Sequence, residues 1–191
     1  MNEKQPTREK ILDVVYALVY IHGYNGTSMS MILKECAIPK GSLYHFFKSK
    51  KEMVLAVLKE RIAPSVYEFH SLKKQGDEDG LQVVINSILK TADNLKVITY
   101  GCPLNRLNQE MSPVDPEFES EITVIYENIK QRIKVTLDPD VVKDGVDIDS
   151  LADYIIQSVW GALSLPPKES SKERYLSSVS HTIEYLKSLK K

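Results

Sequence analysis

The chain has 191 residues, of which 42% are hydrophobic and 27% charged, with a formal net charge of −1. That is the composition of an ordinary globular protein, and no apolar run reaches the roughly 18–20 residues that a transmembrane helix needs. The N-terminus is polar and unlike a secretory signal, so we expect a cytoplasmic protein without membrane contact.

The first helical segment has apolar residues three and four positions apart, the period of a one-sided helix. Thr7 is a suitable N-cap for this helix, and Gly23 is a suitable residue just beyond its end. The sequence therefore predicts helix 1 at about 8–22, followed by a turn at 23–27.

Two short helices come next. Ser28 is positioned to cap a helix at about 29–35. Pro39 suits the first turn of another helix at about 39–46, because its missing N–H costs nothing there. The sequence therefore predicts two short helices joined by a tight connection.

The remaining chain also has helical spacing. Ser49 and Glu52 form a capping box that opens a longer fourth helix, which Pro64 bends or ends. Since no strand pattern of useful length and no internal repeat occurs, the sequence predicts an all-α fold of about nine helices. The later helical patterns cover about 81–98, 104–111, 117–137, 149–165 and 171–189. The pattern at 117–137 has one apolar stripe, formed by Phe118, Ile122, Ile125, Ile129 and Ile133.

Charge is distributed unevenly along the chain. Residues 1–61 carry ten Lys/Arg and six Asp/Glu, a net charge of +4, whereas residues 62–191 carry fifteen and twenty, a net charge of −5. A modestly basic N-terminal part (1–61, here called the head) followed by an acidic part (62–191, the body) fits a nucleic-acid contact at one end. Chance variation produces a similar split, so the charge supports that interpretation only alongside a motif.

The second and third helices form the pattern of a helix-turn-helix, whose second helix enters the DNA major groove. Leu43 and Phe47 are four apart and can face the core, while Lys40 and Tyr44 share another face. Gly41 costs about 1 kcal/mol in a helix relative to Ala, and close approach of a DNA strand is a reason to tolerate it. The groups suited to phosphates or base edges are Lys40, Ser42, Tyr44 and His45, with Lys48, Lys50 and Lys51 around the start of the fourth helix.

The N-terminal 50 or so residues resemble the DNA-binding domain of the TetR family. The resemblance lies in Thr7–Leu12, in Gly23-Tyr24 with Thr27-Ser28, in Lys40–Tyr44 and in Phe47–Lys50. It implies a homodimer that binds a palindromic operator on double-stranded DNA and is released by a small molecule bound in the C-terminal domain. Taken with the motif, it gives the predicted DNA-binding set Thr27, Ser28, Pro39, Lys40, Gly41, Ser42, Tyr44, His45, Lys48 and Lys50.

The sequence departs from the family pattern at three positions. Ala37 stands where the turn usually has Gly, and Pro39 where Ser is common. Met31 stands where an acidic residue would complete a capping box with Ser28, which should weaken that cap a little. None of these changes removes a DNA-facing group.

We expect a DNA-binding domain at 1–50 and an effector-binding and dimerisation domain at 51–191, with the fourth helix (about 50–70) as the link. In the TetR-type fold the last two helices pair with their copies in a four-helix bundle. The segments 149–165 and 171–189 are therefore the predicted isologous contact of a homodimer.

The body resembles the family only loosely, although 101–122 is similar to a segment in one branch of TetR-type bodies. The polar run 105–110 either lines a ligand pocket or forms a solvated helix face. Cys102 is interpreted as a small buried residue at a helix start, with sensing of oxidants or electrophiles as the less favoured alternative. A stripe around Trp160 is more typical of core or dimer interface. The candidate ligand-binding set is Cys102, Asn105, Asn108, Gln109, Tyr126 and Trp160.

Nothing in the sequence points to catalysis. The four histidines lack metal-ligand spacing, the two cysteines lie outside any CxxC motif, and no hydrolase, metalloprotease or phosphate-loop motif occurs. We therefore predict no catalytic residues, no metal and no cofactor, and a ligand-responsive repressor. The alternative is a helical small-molecule-binding protein or enzyme that retains the head without operator binding, and activation instead of repression stays open.

Overall fold

The computed structural model describes residues 4–73, 76–137, 141–165 and 171–191, with side chains from residue 7 onward. Within these ranges the chain is helical without any strand, apart from an isolated antiparallel bridge between Val142 and Lys190. The predicted all-α fold is confirmed. The helices are α1 Lys4–Gly26, α2 Met29–Cys36, α3 Lys40–Phe46, α4 Lys50–Val57, α5 Ala63–Phe69, α6 Gly80–Lys90, α7 Leu95–Tyr100, α8 Pro103–Met111, α9 Pro116–Thr136, α10 Ile148–Leu163 and α11 Ser171–Ser188.

The chain forms two compact units. One comprises Met1–Val66 and Pro103–Thr123, and the other comprises Tyr67–Cys102 and Val124–Lys191. Helix α8 therefore belongs to the same unit as α1 to α4, and within that unit it packs against α1. The division of function at residue 50 stays a prediction.

Helix α1 begins at Lys4, so the predicted start at residue 8 and the capping role of Thr7 are wrong. The reason is that a proline in the first turn of a helix costs no hydrogen bond, so Pro6 does not delay the start. Gly23 has φ +76° and ψ 177°, so it interrupts the helix where the sequence predicted its end. Residues 24–26 then form a further helical turn.

The predicted caps of the next helices are confirmed. The Ser28 hydroxyl accepts from the Met31 N–H (3.2 Å), and α2 ends at Ala37 in the left-handed conformation. The Ser49 hydroxyl accepts from the Glu52 N–H (3.1 Å) at the start of α4. The Glu52 carboxylate in turn accepts from the Lys48 N–H (2.7 Å), one residue before the position that a standard capping box uses.

Pro64 does not end the fourth helix. A π-helical turn, Leu58–Ile62, joins α4 directly to α5, and the Ala63 N–H donates to the Leu58 carbonyl five residues back. In a regular helix the proline ring would clash with the carbonyl four residues earlier. The wider turn lies immediately before the proline and relieves that clash.

The second unit contains α6, α7, α10, α11 and most of α9. The prediction of one continuous helix at 81–98 is wrong. A 3₁₀ turn at Thr91–Asp93 ends α6, and the Asn94 side chain caps α7 by accepting from the Val97 N–H. The predicted stripe of α9 is buried as expected, and its members are Phe118, Ile122, Ile125, Ile129 and Ile133.

Candidate nucleic-acid interface

Helix α3 has one buried face and one exposed face. Leu43 and Phe47 are buried, as the four-residue spacing predicted, and fix the helix to the first unit. On the opposite side Lys40, Tyr44 and His45 are exposed, and the Lys40 ammonium lies 5.8 Å from the centre of the Tyr44 ring. The predicted sharing of one face by Lys40 and Tyr44 is therefore observed.

Gly41 lies on the exposed side of α3 with open space around it. A Cβ built at this position has no atom of the described chain within 4 Å, apart from its own helix and immediate neighbours. No contact among the described residues therefore explains a glycine here.

The other predicted contacts next to α3 also reach the surface. Ser42 is half-buried, whereas Pro39 and Lys48 are exposed. The Ser28 side chain is exposed and lies 2.8 Å from the Ser30 hydroxyl. Two serine hydroxyls therefore lie together at the exposed start of α2.

Thr27 and Lys50 are placed differently. The Thr27 side chain is fully buried, and its hydroxyl donates to the Gly23 carbonyl (2.7 Å). The Lys50 ammonium donates to the carbonyls of Tyr24 (2.9 Å) and Thr27 (3.0 Å) and lies 4.2 Å from the centre of the Tyr24 ring. Burial lowers the pKa of Lys50, and the negative charge of Glu110 opposes that shift.

Lys51 is held by the start of α9. Its ammonium lies 2.8 Å from an Asp115 carboxylate oxygen and 3.1 Å from Glu117. Hydrogen bonds to these two acids raise the pKa of Lys51, and the same bond from Lys51 lowers the pKa of Asp115. In this structure Lys51 therefore joins α4 to α9.

Two further charged residues contact the end of α1, and sequence reasoning missed this role. Arg106 on α8 donates to the carbonyls of Ile21 (3.1 Å) and Tyr20 (3.3 Å). The Glu110 carboxylate accepts from the Asn25 N–H (2.9 Å). The four-residue spacing of opposite charges was the available signal, but it does not identify a partner about 85 positions earlier in the chain.

The candidate ligand-binding residues are divided between the two units. In the first unit Asn105 is buried and its side-chain oxygen has no hydrogen-bond partner among the described residues. Asn108 accepts from the Ser112 hydroxyl (2.9 Å), and Gln109 is exposed. In the second unit Cys102 is half-buried.

Tyr126 and Trp160 are neighbours in the second unit. Their rings meet edge to face at 5.7 Å. The Tyr126 hydroxyl donates to Asp153 (2.6 Å), and burial together with that carboxylate raises the pKa of Tyr126 to about 12. Lys130 also bonds Asp153 (2.8 Å), so this part of α9 is fixed to α10 by a polar cluster.

The described ranges contain neither a metal-binding cluster nor a membrane-spanning helix. No group of three or more His, Cys, Asp or Glu side chains in them is arranged to hold a metal ion. None of the helices in those ranges has the length and apolar character to cross a membrane.

Comparison with known proteins agrees with this geometry. Residues 11–57 match the family model described as "Bacterial regulatory proteins, tetR family". Over 135 residues the chain is 33% identical to an uncharacterized HTH-type transcriptional regulator in the lacX 3′ region of Lactococcus lactis subsp. lactis, covering 69% of this chain and 68% of the relative. The chain belongs to the TetR family. The resemblance found in the sequence is confirmed, and the protein is a helix-turn-helix transcriptional regulator.

Two other comparisons extend over most of the chain. A TetR transcriptional regulator from Chloroflexus aurantiacus J-10-FL superimposes with a TM-score of 0.85, covering 100% of this chain and 98% of that one at 23% identity, which shows the shared fold. The HTH-type transcriptional repressor DhaR of Mycobacterium sp. (strain GP1) is 24% identical over 177 residues, covering 89% of this chain and 87% of the relative. TetR regulators bind DNA operators and are typically dimers.

Proposed function

We propose that this TetR-family regulator is a ligand-responsive repressor that binds a roughly palindromic operator as a homodimer. The observation that carries the proposal is the two-sided character of α3, with Leu43 and Phe47 buried and Lys40, Tyr44 and His45 exposed around Gly41. A major groove admits a helix that presents such groups. The Mycobacterium relative is named a repressor, which favours repression over activation.

The residues proposed to contact DNA are those whose side chains reach the surface at α3 and at the ends of the neighbouring helices. Charged Lys40 and Lys48 suit phosphates, and Ser42, Tyr44 and His45 suit phosphates or base edges. Gly41 permits close approach of the DNA backbone. The proposed set is Ser28, Pro39, Lys40, Gly41, Ser42, Tyr44, His45 and Lys48.

The proposed effector contact starts from Asn105. A buried carbonyl oxygen without a partner costs about 1–3 kcal/mol, and a ligand that donates a hydrogen bond would remove that cost. Asn108 and Gln109, in the same unit, remain candidates for further contacts with that ligand. Cys102, Tyr126 and Trp160 belong to the second unit and remain separate ligand-binding candidates. Release follows if the ligand binds the DNA-free state of the dimer more tightly than the DNA-bound state.

The proposed dimer contact is the outer surface of α10 and α11. Tyr154 on α10 and Tyr185 on α11 meet edge to face at 5.5 Å, yet remain 42% and 46% exposed. Exposed aromatic groups on two packed helices are typical of a subunit interface. An isologous contact there brings two recognition helices to one palindromic site.

The named relatives regulate transcription, so we infer a regulator and not an enzyme. A regulator of this kind works in the cytoplasm, where bacterial DNA lies. The rival is a helical binding protein or enzyme that retains the head without operator binding. The exposed polar face of α3 favours the repressor. In a protein that does not bind an operator, this face would have no DNA to contact.

An electrophoretic shift on the DNA upstream of the gene for this protein tests operator binding. We expect a salt-sensitive, sequence-preferring band that Lys40→Ala or Tyr44→Ala weakens by about tenfold or more. Lys90→Ala, at an exposed lysine of α6 in the second unit, is the matched control and should bind normally. Absence of a specific band at micromolar wild-type protein would overturn the proposal.

A thermal-shift screen with dyes, antibiotics, fatty acids and reactive aldehydes tests the effector. A compound that binds the native state raises the melting temperature, and we expect the same compound to release the operator band. Asn105→Leu should lose both responses while keeping operator binding. A compound that stabilises the protein without releasing DNA would contradict ligand-responsive repression.

A further inference from the structure

Three charged side chains bind a segment made of the last turns of α1 and Thr27, the residue that follows it. They are Lys50 on α4 and Arg106 and Glu110 on α8, here called the clip, and they bind the backbone of residues 20–27. We propose that the clip positions the helix-turn-helix for DNA, so that Lys50 acts through this segment and not as a phosphate ligand. The proposal rests on the proposed operator binding by α3.

The clip forms hydrogen bonds with both carbonyl and N–H groups of the backbone. Lys50 and Arg106 donate to carbonyls in the last turns of α1 and to that of Thr27. The C-terminal end of a helix attracts positive charge. Glu110 accepts from the Asn25 N–H on the same segment. Ser28, the cap of α2, follows this segment directly. The position of the segment's backbone therefore determines where α2 starts.

Gly23 lies at the centre of the clip. Its φ of +76° is a conformation that L side chains rarely adopt, and a Cβ there would lie 2.0 Å from Glu110 Oε1 and 3.1 Å from Arg106 Nε. The carboxylate therefore occupies the space that any other residue would need. This contact gives the glycine a role beyond ending a helix, since it lets Glu110 reach the turn.

Lys50 is poorly placed to bind a phosphate. Two of its three N–H donors are used by Tyr24 and Thr27, and the Tyr24 ring lies beside the ammonium at 4.2 Å. Reaching out to DNA would break both hydrogen bonds and the ring contact. By contrast Lys40 on α3 is exposed and is the natural comparison for a phosphate-binding lysine.

Substitution of Glu110 distinguishes the positioning role of the clip from a purely electrostatic effect of the carboxylate on DNA binding. Removing an acid from a DNA-binding head strengthens attraction to phosphate, so charge alone predicts tighter binding by Glu110→Ala. The clip predicts the reverse, because fewer molecules hold α2 and α3 in the binding geometry. If that population falls to about a tenth or a fifth, the apparent Kd rises about five- to tenfold.

The matched control is Glu35→Ala, which removes the same charge from an exposed position on α2. With full-length protein and the duplex upstream of its own gene, we expect Glu35→Ala to bind as tightly as wild type or more tightly. Glu110→Gln keeps the side-chain shape and should weaken binding less than Glu110→Ala, with the same sign. Unchanged or tighter binding by both Glu110 variants would overturn the clip.

The salt dependence of binding tests Lys50 separately. Loss of one phosphate contact lowers the slope of log K against log salt by about 0.9, and this is expected for Lys40→Ala. Lys50→Met should weaken binding about five- to tenfold while keeping the wild-type slope, with circular dichroism confirming the fold. A slope that falls as in Lys40→Ala, or an unchanged Kd, would overturn the role of Lys50. Failure of wild-type protein to bind any duplex would instead contradict the proposed function.

Discussion

Ala37 adopts a backbone conformation that suits glycine better. It ends α2 with φ +50° and ψ +41°, and its side chain is exposed. The left-handed region costs an L residue roughly 1–2 kcal/mol, which exceeds the roughly 0.4–1 kcal/mol of extra unfolded-state entropy that glycine brings. We predict that Ala37→Gly raises the free energy of unfolding by up to about 1 kcal/mol in urea denaturation.

Ala56 provides the control for that substitution. It lies inside α4, where replacing Ala by Gly costs about 1 kcal/mol, so Ala56→Gly should lower the free energy of unfolding. Loss of stability in both variants would show that the left-handed strain at residue 37 is negligible.

His70 makes stability depend on pH. Burial, with the positive charge of Arg132, lowers its pKa to about 4, while an unfolded histidine titrates near 6.5. Below about pH 6.5 the unfolded chain therefore takes up a proton that the folded chain refuses, and stability falls until about pH 4. We predict that His70→Gln reduces the loss of unfolding free energy between pH 7 and pH 5 by up to about 2 kcal/mol.

Urea denaturation at pH 7, 6 and 5 checks the His70 prediction. His22→Gln, at an exposed position of α1, should leave the wild-type loss of stability in place. An identical loss in wild type and His70→Gln would show that the imidazole is not the group responsible.

At the scale of the element, α3 shows stability and function in opposition. Ala is favoured over Gly in a helix by about 1 kcal/mol, and the space around Gly41 is open. We predict that Gly41→Ala raises the free energy of unfolding by up to that amount, yet weakens operator binding about tenfold because the methyl group meets the DNA. Denaturation and mobility-shift titration of the same preparation measure both effects, and unchanged operator affinity would show that DNA does not approach this position.

The sequence was informative where a local rule determines an element. Capping serines defined the starts of α2 and α4, and apolar periodicity identified the buried stripe of α9. The break at Thr91–Asp93 was missed because the segment contains neither Gly nor Pro. The start of α1 was missed because Thr7 is a good cap residue in a sequence that allows the helix to begin earlier.

Among the site residues, too, the sequence predicted those that a local pattern determines and missed those that depend on distant contacts. Helical periodicity was enough to place Lys40 and Tyr44 on the exposed face of α3. It was not enough for Lys50, whose partners lie 23 and 26 positions earlier, or for Glu110, whose partner lies 85 positions earlier. Such contacts depend on packing between distant segments, which a local pattern does not contain.

At the scale of the whole molecule, the proposed recognition of a palindromic operator uses two copies of α3. The first unit presents α3, whereas the second unit contains the exposed pair Tyr154 and Tyr185. One recognition helix reads one half-site, and dimerisation makes binding of the second half-site effectively intramolecular. Loss of the dimer should therefore weaken operator binding even when α3 is intact.

Tyr185→Asp tests this dependence. An unpaired carboxylate buried in an interface costs about 3–5 kcal/mol, so the dimer Kd should rise at least about hundredfold. Sedimentation equilibrium measures the dimer Kd and mobility shift the operator Kd, and both should weaken together. Val135→Asp adds the same charge at a position on α9 that is 73% exposed and should leave the dimer intact. Dissociation by Val135→Asp, or a Tyr185→Asp dimer as tight as wild type, would place the subunit contact elsewhere than α10 and α11.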